Sequence, residues 1–475
     1  MAGREIVVVL RTATTSPGRS RDLFARAASD EVHSVLRNFS ATARPLFGIP
    51  LGAPSAAERA QESGELNEIL RDQSRYFLID VAEDRSEELL AELQSKPSVE
   101  AAYVKPLAEN PLAPRSTSRE QRPETTETTV PDFIPRQGYL GPAPAGVDAT
   151  YAWTKKGGRG DDVRVIDIEG AWQFSHIDLL ENEGGLIGGD AYAGVDWRNH
   201  GTAVLGEIGG DDNRLGICGI APKCFQSAIS HGSLGSAGAI NLAAQKLRRG
   251  DIILLEMHRP GPRYAYQSRP DQKGYIAVEW WPDDLLAIRF AIAKGIVVVE
   301  AAGNGEENLD HARYDNPGPG FPSSWKNPFR TLETDVAAVM VGAGAPPSGA
   351  WGPDRSKLDF SNFGSRVDCQ GWGREVVTIG YGDLFRNSGN VADENFWYTS
   401  QFSGTSSASP IVTGAIACLQ GMAKAKGALL SPVQIRQALR TTGSPQQFSS
   451  GAPPNELIGP RPDLRDLMQH FVGVV

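Results

Sequence analysis

The chain has 475 residues, and at roughly 100–200 residues per domain this length predicts two or three domains. Hydrophobic residues make up 40% and charged residues 22%, which is ordinary for a globular protein and excludes a collagenous or wholly disordered chain. The net charge of −10 provides no basic face for phosphate groups, and no uninterrupted apolar run approaches the ~20 residues that span a bilayer. We therefore expect neither a nucleic acid nor a membrane as a partner.

Residues 1–110 are predicted to form a small α/β domain. Three runs rich in β-branched and aromatic residues, 6–10, 76–81 and 99–104, predict strands. Apolar residues recur at helical spacing in two segments between them, from 23 to 39 and from 86 to 93.

Residues 111–132 are predicted to be a flexible linker that contains a processing site. They hold four prolines and seven serines or threonines, with too few apolar groups to offset the entropy of ordering. At the N-terminus, the apolar run 6–10 is too short and too early for a secretory signal. We therefore expect a cytoplasmic protein, or one exported without a recognisable signal peptide.

Residues 133–475 show a different pattern, in which short apolar strands alternate with helical segments. Strands are predicted at 163–166, 252–255, 296–299 and 336–341, and helices at 237–247 and 284–293. This alternation is typical of a mostly parallel sheet with helices on both faces. Functional groups on such a sheet gather at the carboxyl ends of the strands.

Four separated segments of this region carry reactive or polar side chains. Asp167 ends the predicted strand in Val-Ile-Asp-Ile-Glu-Gly, His200 lies in Asn-His-Gly-Thr, and Ser406 lies in Gly-Thr-Ser before an apolar helix. Asp, His and Ser in this order form one of three known chain orders of the nucleophilic triad. With Asn304 in Ala-Ala-Gly-Asn-Gly, the chain resembles the subtilisin-like serine proteases over roughly residues 140–445.

The resemblance implies an α/β, subtilisin-like catalytic domain and serine endopeptidase activity on a protein or peptide substrate. Ser406 would attack the peptide bond, His200 would take its proton, Asp167 would orient the imidazole, and Asn304 would donate to the oxyanion. Glu169 departs from the family pattern and is either a group near the site or, as we favour, an exposed loop residue. The distance from Asp167 to His176 is also about two residues longer than is usual in the family.

The resemblance also assigns a substrate-binding strand, to which a peptide would add as a further strand. Its residues are Glu256, Met257 and His258, with Gly303 beside Asn304. Carboxylates near these positions predict a preference for Lys or Arg before the cut, although they are equally well explained as solvated surface acids: Glu256, Glu300, Glu306, Glu307 and Asp310. Residues 259–283 form an apparent insertion that either walls the substrate cleft or packs down as a surface flap.

A structural calcium ion is the cofactor that the resemblance implies. Its ligands would be the side chains of Asp178 and Asn213 and carbonyl groups of Leu215 and Ile217. The alternative is a polar turn without a metal. Cys218 and Cys224 are six residues apart, so they either form a disulfide bond or remain free thiols.

Residues 1–110 resemble the propeptide, or inhibitor-like, domain of the same family. This implies an autoinhibited precursor in which the N-terminal domain inhibits its own catalytic domain, with cleavage between about Lys105 and Phe133. A separate partner-binding module is the alternative for this domain. For the whole chain, the alternatives are a non-catalytic peptide-binding pseudoprotease and a protease limited to self-cleavage.

Overall fold

A computed structural model of the chain describes residues 4–11, 30–48, 64–111, 129–330, 338–387, 390, 392–471 and 473. Residues 23–29 of the first predicted helix and residues 112–128 of the predicted linker lie outside this set. Among the residues described, no helix is both long enough and apolar enough to cross a membrane.

The N-terminal unit is built on an antiparallel sheet, which has four strands in the described residues, in the order β2-β3-β1-β4. Its elements are β1 (Glu5–Leu10), α1 (Asp30–Asn38), β2 (Thr42–Pro45), α2 (Gly64–Gln73), β3 (Tyr76–Asp80), α3 (Ser86–Gln94) and β4 (Val99–Lys105). The alternating side chains of β1 are buried on both faces. Ile6 and Val8 pack on the helices α1 and α3, whereas Val7 and Val9 face the rest of the molecule.

The remainder of the chain is an α/β domain, as predicted. Its strands are β5 (Arg164–Glu169), β6 (Glu183–Gly188), β7 (Phe225–Ser230), β8 (Ile252–Leu255), β9 (His258–Pro260), β10 (Tyr275–Ala277), β11 (Val297–Ala301), β12 (Val339–Gly344), β13 (Cys369–Trp372), β14 (Val376–Ile379) and β15 (Tyr398–Phe402). Its helices are α4 (Ala149–Ala152), α5 (Val195–Gly209), α6 (Ser236–Lys246), α7 (Pro282–Ala293), α8 (Thr405–Ala425), α9 (Pro432–Thr441) and α10 (Leu464–His470).

The central sheet is parallel and has seven strands within the described ranges, in the order β13-β12-β11-β8-β5-β7-β6. Ile252 and Leu254 of β8 pack in one apolar cluster with α5 and α8, while Ile253 and Leu255 pack in another with α6 and α7. Helices therefore cover both faces, and the carboxyl ends of β5, β8 and β11 lie side by side at one edge. Two antiparallel hairpins, β9–β10 and β14–β15, flank the sheet.

The N-terminal unit is docked on the α6/α7 face through a buried cluster of charges. Lys105, at the end of β4, is fully buried and forms ion pairs with Asp283, Asp284 and Glu5. Its Nζ lies 3.1 Å from Glu5 and 3.2 Å from Asp284. Arg259 adds a second buried cation next to the same carboxylates. Removing one member of such a network leaves unpaired buried charges, which is costly, so the cluster makes this interface specific.

Candidate active site

Ser406 and Asn304 are held together by the first residue of α8. Ser406 is the second residue of that helix, and Asn304 lies in the loop that follows β11. The Asn304 Oδ1 accepts hydrogen bonds from the backbone N–H of Thr405 at 2.9 Å and from its hydroxyl at 3.0 Å. The Asn304 Nδ2 is buried and has no partner among the described atoms. A fixed amide donor of this kind suits an oxyanion site.

His200 lies on α5 with its ring against that of Phe402, at a centroid distance of 5.5 Å. The Nδ1 atom is 2.7 Å from Glu169 Oε2. The Nε2 atom is buried and makes no hydrogen bond to the described residues. Burial lowers the pKa of His200 to about 3, so the imidazole is neutral in this state and its Nε2 can accept a proton.

The predicted partner of His200 was Asp167, and this prediction is wrong: the contact belongs to Glu169. Asp167 and Glu169 are two residues apart on β5, so both side chains lie on the same side of the strand. Glu169 is nearer the carboxyl end and has one more methylene group, whereas Asp167 Oδ2 accepts a hydrogen bond from Trp172 Nε1 at 2.7 Å. Glu169 is also fully buried rather than an exposed loop residue. The sequence did contain a signal for this. The distance from Asp167 to His176 is about two residues longer than is usual in the family, whereas the distance from Glu169 to His176 has the usual length.

Of the predicted substrate-binding residues, His258 meets a peptide segment, and it does so through its backbone. Its N–H and C=O pair with the C=O and N–H of Glu109, each at 3.0 Å. Glu256 is fully buried and accepts a hydrogen bond from Ser409. Met257 packs in the apolar core, and Gly303 lies below the cleft with φ +96°, where a Cβ would lie 2.8 Å from Asn362 Nδ2.

The peptide segment in the cleft is the chain's own residues 109–111. Beyond the pairing of Glu109, the backbone C=O of Asn110 accepts a hydrogen bond from Gln272 Nε2 at 2.9 Å. The Asn110 Nδ2 is 3.2 Å from Glu169 Oε2. The hydroxyl of Ser406 donates to the C=O of Pro111 at 3.1 Å. Two consecutive residues of one segment therefore contact both Ser406 and the carboxylate that holds His200.

The apparent insertion 259–283 walls this cleft. Gln272 binds the segment's backbone, and Ser268 and Tyr275 bind the Glu109 carboxylate through their hydroxyls at 2.8 Å and 3.0 Å. The sequence analysis did not identify Gln272, because a lone glutamine in a polar loop gives no local signal of binding.

The carboxylates that flank Asn304 are engaged by other groups of the protein. Glu306 pairs with Lys273 at 2.8 Å, and Glu307 pairs with Arg263 at 2.6 Å. The remaining two accept hydrogen bonds at 2.8–3.0 Å from the backbone N–H of Glu279 and of Ser365; they are Glu300 and Asp310. Glu300 and Glu307 are therefore buried parts of the fold, whereas Glu306 and Asp310 are partly exposed at the surface.

The predicted calcium ligands do come together, but they do not fit calcium. Calcium is held by oxygen atoms. The carboxylate of Asp178 instead accepts hydrogen bonds from Asn213 Nδ2 at 2.9 Å, Ile217 N at 3.0 Å and the Tyr398 hydroxyl at 2.9 Å. The Asn213 Oδ1 accepts from Leu215 N at 2.9 Å. In the part of the chain described, no three His, Cys, Asp or Glu side chains form a group that could hold a metal ion.

The four cysteines are buried free thiols, so Cys218 and Cys224 do not form the disulfide bond that their spacing allowed. Burial raises the pKa of each of these two thiols to about 12, which keeps both protonated.

Four carboxyl groups are buried on β5, on α5 and directly after β8. None of the four forms a salt bridge to a lysine or arginine within the described residues, and burial raises the pKa of each well above its ordinary value. They are Asp167, Glu169, Glu207 and Glu256.

Comparison with protein families gives a match to the subtilase family of peptidases over residues 180–459. This segment exceeds half of the chain and contains His200, Asn304 and Ser406 in the arrangement described above. The chain belongs to the subtilase family. The predicted family and fold are thereby confirmed, and the protein is a subtilisin-like serine peptidase that acts on a protein or peptide substrate.

Among curated proteins, this subtilase is similar to Subtilisin DY of Bacillus licheniformis, with 28% identity over 61% of the chain and 86% of that protein. It is also similar to an intracellular serine protease of Paenibacillus polymyxa, with 25% identity over 62% of the chain and 77% of that protein.

Solved structures show the same fold at low identity. Fervidolysin from Fervidobacterium pennivorans, described as a keratinolytic enzyme related to subtilisin, superposes with a TM-score of 0.55 at 16% identity, over 98% of this chain and 61% of that chain. An epidermin leader peptide processing serine protease from Staphylococcus aureus gives a TM-score of 0.54 at 16% identity, with both chains fully covered.

Proposed function

We propose that this subtilase is an endopeptidase that works through Ser406, His200 and Glu169, with Asn304 as the oxyanion donor. The observation that carries the proposal is the pair of contacts made by His200 and Ser406. The imidazole has its Nδ1 on a buried carboxylate and its Nε2 without a partner, while the serine hydroxyl lies against a peptide carbonyl.

The residues divide the reaction as follows. The Ser406 oxygen attacks the peptide carbonyl while its proton passes to His200 Nε2, and the imidazolium gives that proton to the leaving amine. Glu169 holds the Nδ1–H, which fixes the tautomer and stabilises the cation. The Asn304 amide donates to the oxyanion as its charge develops. Water then hydrolyses the acyl-enzyme on Ser406 by the same route.

Active-site titration with a serine-directed phosphonate tests this proposal against the two alternatives. We expect one equivalent of label and multiple turnover of casein by the wild-type chain, and neither in Ser406→Ala. No labelling of the wild type would contradict the proposal and favour a peptide-binding pseudoprotease. Labelling with a single cut in the chain itself and no casein turnover would favour a protease limited to self-cleavage.

We also propose that the N-terminal unit is an intramolecular inhibitor and that the junction bond is the one after Pro111. Support comes from the antiparallel pairing of Glu109 with His258 and from the hydroxyl of Ser406, 3.1 Å from the Pro111 oxygen. The bond falls within the interval predicted from the linker composition.

Intact mass spectrometry tests the junction. The wild type should give a new N-terminus immediately after Pro111, and Ser406→Ala should remain whole. A cut elsewhere in the linker that depends on Ser406 would contradict the assignment of the bond.

A variant that weakens the contact between the N-terminal unit and the catalytic domain tests the proposed inhibition. Lys105→Ala removes the buried cation from three carboxylates, at a cost of about 3–5 kcal/mol, and should raise the initial casein-cleaving rate of the fresh protein. Lys96→Ala is the matched control, because Lys96 pairs with Glu92 on the surface of α3 and its loss should change the rate little. Equal rates in both variants would contradict the proposal.

The predicted preference for Lys or Arg before the cut has lost most of its support, because Glu300, Glu306 and Glu307 are engaged within the protein. Glu256 and Glu300 each keep a buried oxygen, Oε2, without a partner in the described structure, and of the two Glu256 lies on the predicted substrate-binding strand. A peptide library that varies this position tests the point. Enrichment of basic residues that Glu256→Gln abolishes would support the preference, and enrichment of proline or apolar residues would contradict it.

A further inference from the structure

Asp167 and Glu169 form a pair of carboxyl groups behind His200. Both side chains are fully buried on the same side of β5. One oxygen of each accepts from another group: Asp167 Oδ2 from Trp172, and Glu169 Oε2 from His200 and Asn110. The second oxygens, Asp167 Oδ1 and Glu169 Oε1, are buried and have no partner among the described residues. One proton shared between the two carboxyl groups would give both of these oxygens a partner, and a buried polar oxygen without one is costly.

The surroundings of the pair also favour one proton. The titratable groups next to it are His200 from α5 and Glu256 from the end of β8, and His258 from β9 lies close to His200. No lysine or arginine of the described chain pairs with either carboxyl group. Two neighbouring carboxyl groups that are fully buried and have no such cation as a partner do not both ionise.

We infer that Asp167 is a positioning residue that stays protonated at neutral pH and donates its carboxylic O–H to an ionised Glu169, which in turn holds the Nδ1–H of His200. Glu169 Oε2 accepts from two donors, His200 Nδ1 and Asn110 Nδ2, whereas Asp167 Oδ2 accepts from Trp172 alone. Burial raises the pKa of both carboxyl groups, and the additional donor stabilises the negative charge on Glu169, so the proton resides on Asp167. The inference rests on the proposed function, in which Glu169 is the carboxylate partner of His200.

The role of this proton is structural and electrostatic. When the proton of Ser406 moves to His200 Nε2, the positive charge that forms is balanced by the single negative charge of Glu169. Asp167 keeps its proton throughout and contributes no net charge. Its O–H holds the longer Glu169 side chain in the orientation that meets Nδ1.

Three variants test whether Asp167 is protonated, as inferred, or ionised. Asp167→Asn keeps both functions of a protonated acid, because its amide N–H can donate to Glu169 and its oxygen can accept from Trp172. We expect kcat/KM to fall by less than about tenfold in Asp167→Asn, but on the order of 10–100-fold in Asp167→Ala, as for other groups that orient a functional side chain. Glu169→Gln should lower kcat by about 10⁴, the loss seen when the triad carboxylate of a serine protease is replaced by its amide.

The pH dependence of kcat/KM provides a second test, because a packing defect alone would not shift its acid limb. With one shared proton, the pair carries a charge of −1 in both the wild type and Asp167→Asn, so the acid limb of kcat/KM stays in place. If Asp167 were ionised, the substitution would remove a negative charge near His200 and lower its pKa. The acid limb would then move to lower pH. That shift, or a loss in Asp167→Asn as large as in Glu169→Gln, would overturn the inference.

An infrared difference spectrum tests the proton without turnover. On the Ser406→Ala background, subtracting Asp167→Asn should leave a carboxylic-acid C=O band at pH 7. Absence of the band, with both proteins folded by their unfolding midpoints, would overturn the inference. If the wild type proves inactive but the band is present, the shared proton stands and the proposed function falls.

Discussion

The two sides of the active site are held together by different chemistry. On the serine side, Ser406 and Asn304 are fixed by the backbone N–H and hydroxyl of Thr405, none of which titrates near neutral pH. On the histidine side, His200 is fixed by Glu169, which contacts Asp167, and all three are buried and ionisable. The geometry of the serine side therefore depends on the fold alone, whereas that of the histidine side depends also on where protons reside.

The match to the family covers the serine side and only part of the histidine side. It begins at residue 180 and so includes Asn304, Ser406 and His200 but neither carboxyl group of β5. The contact between His200 and Glu169 therefore joins a residue inside the matched segment to one that precedes it.

The largest effect is expected from His200, the residue of the histidine side that we propose accepts the proton of Ser406. His200→Ala removes the proton acceptor, and the corresponding losses in subtilisin reach about 10⁶ in kcat. The double variant with Ser406→Ala should be no slower than either single variant, because the two groups act as a unit. Steady-state kinetics on a peptide substrate measure this, and additive losses would show that the sides work independently.

The serine side alone is tested by Asn304→Ala. We expect kcat to fall by about 10²–10³ with little change in KM, because the amide acts on the charge that develops in the transition state. The loss should be the same at every pH, since no titrating group is removed. Asn455→Ala, at an exposed position, is the control, and an effect confined to KM would contradict the assigned role.

The loop that follows β5, the strand that carries the carboxyl groups of the histidine side, should make the stability of the protein sensitive to acid. Burial lowers the pKa of His176, in the loop after β5, to about 3. The unfolded state binds a proton below about pH 6.5 and the folded state does not, so the free energy of unfolding falls as the pH falls from 6.5 toward 3. The expected slope is about 1 kcal/mol per pH unit for this residue.

Denaturant unfolding at pH 7 and pH 5 measures this loss. The difference between the two pH values should shrink in His176→Asn and stay unchanged in His470→Asn, whose side chain is exposed. An equal pH dependence in the wild type and His176→Asn would contradict the prediction.

The smallest effect is expected from metal removal. Because Asp178 already accepts three hydrogen bonds from N–H and O–H donors, a chelator should leave the thermal midpoint within about 1 °C, and added calcium should not raise it. A stabilisation by calcium that Asp178→Asn abolishes would show that the loop rearranges to bind the ion.

The sequence predicted the α/β fold. It also singled out Ser406 and Asn304 from two short patterns, Gly-Thr-Ser before an apolar helix and Gly-Asn-Gly after a strand, and the structure brings these two segments together. It did not predict Glu169, because Asp167 and Glu169 share one side of a strand and only packing decides which reaches the imidazole. It also missed Gln272 and the buried roles of Glu256 and Met257. These depend on how residues 259–283 fold over the sheet edge, and no short pattern in the chain encodes that.

The contacts that His258 and Gln272 make with the docked segment would limit what this peptidase can cut. A target must offer three residues in extended form, with the backbone groups on one side free to pair with His258 and with the next carbonyl free to meet Gln272. In a helix or an interior strand of a target, these backbone groups already make hydrogen bonds within the target itself. Loosely folded tails, interdomain tethers and partly melted proteins meet the requirement, so the conformational freedom of a target would govern its susceptibility more than its amino-acid composition.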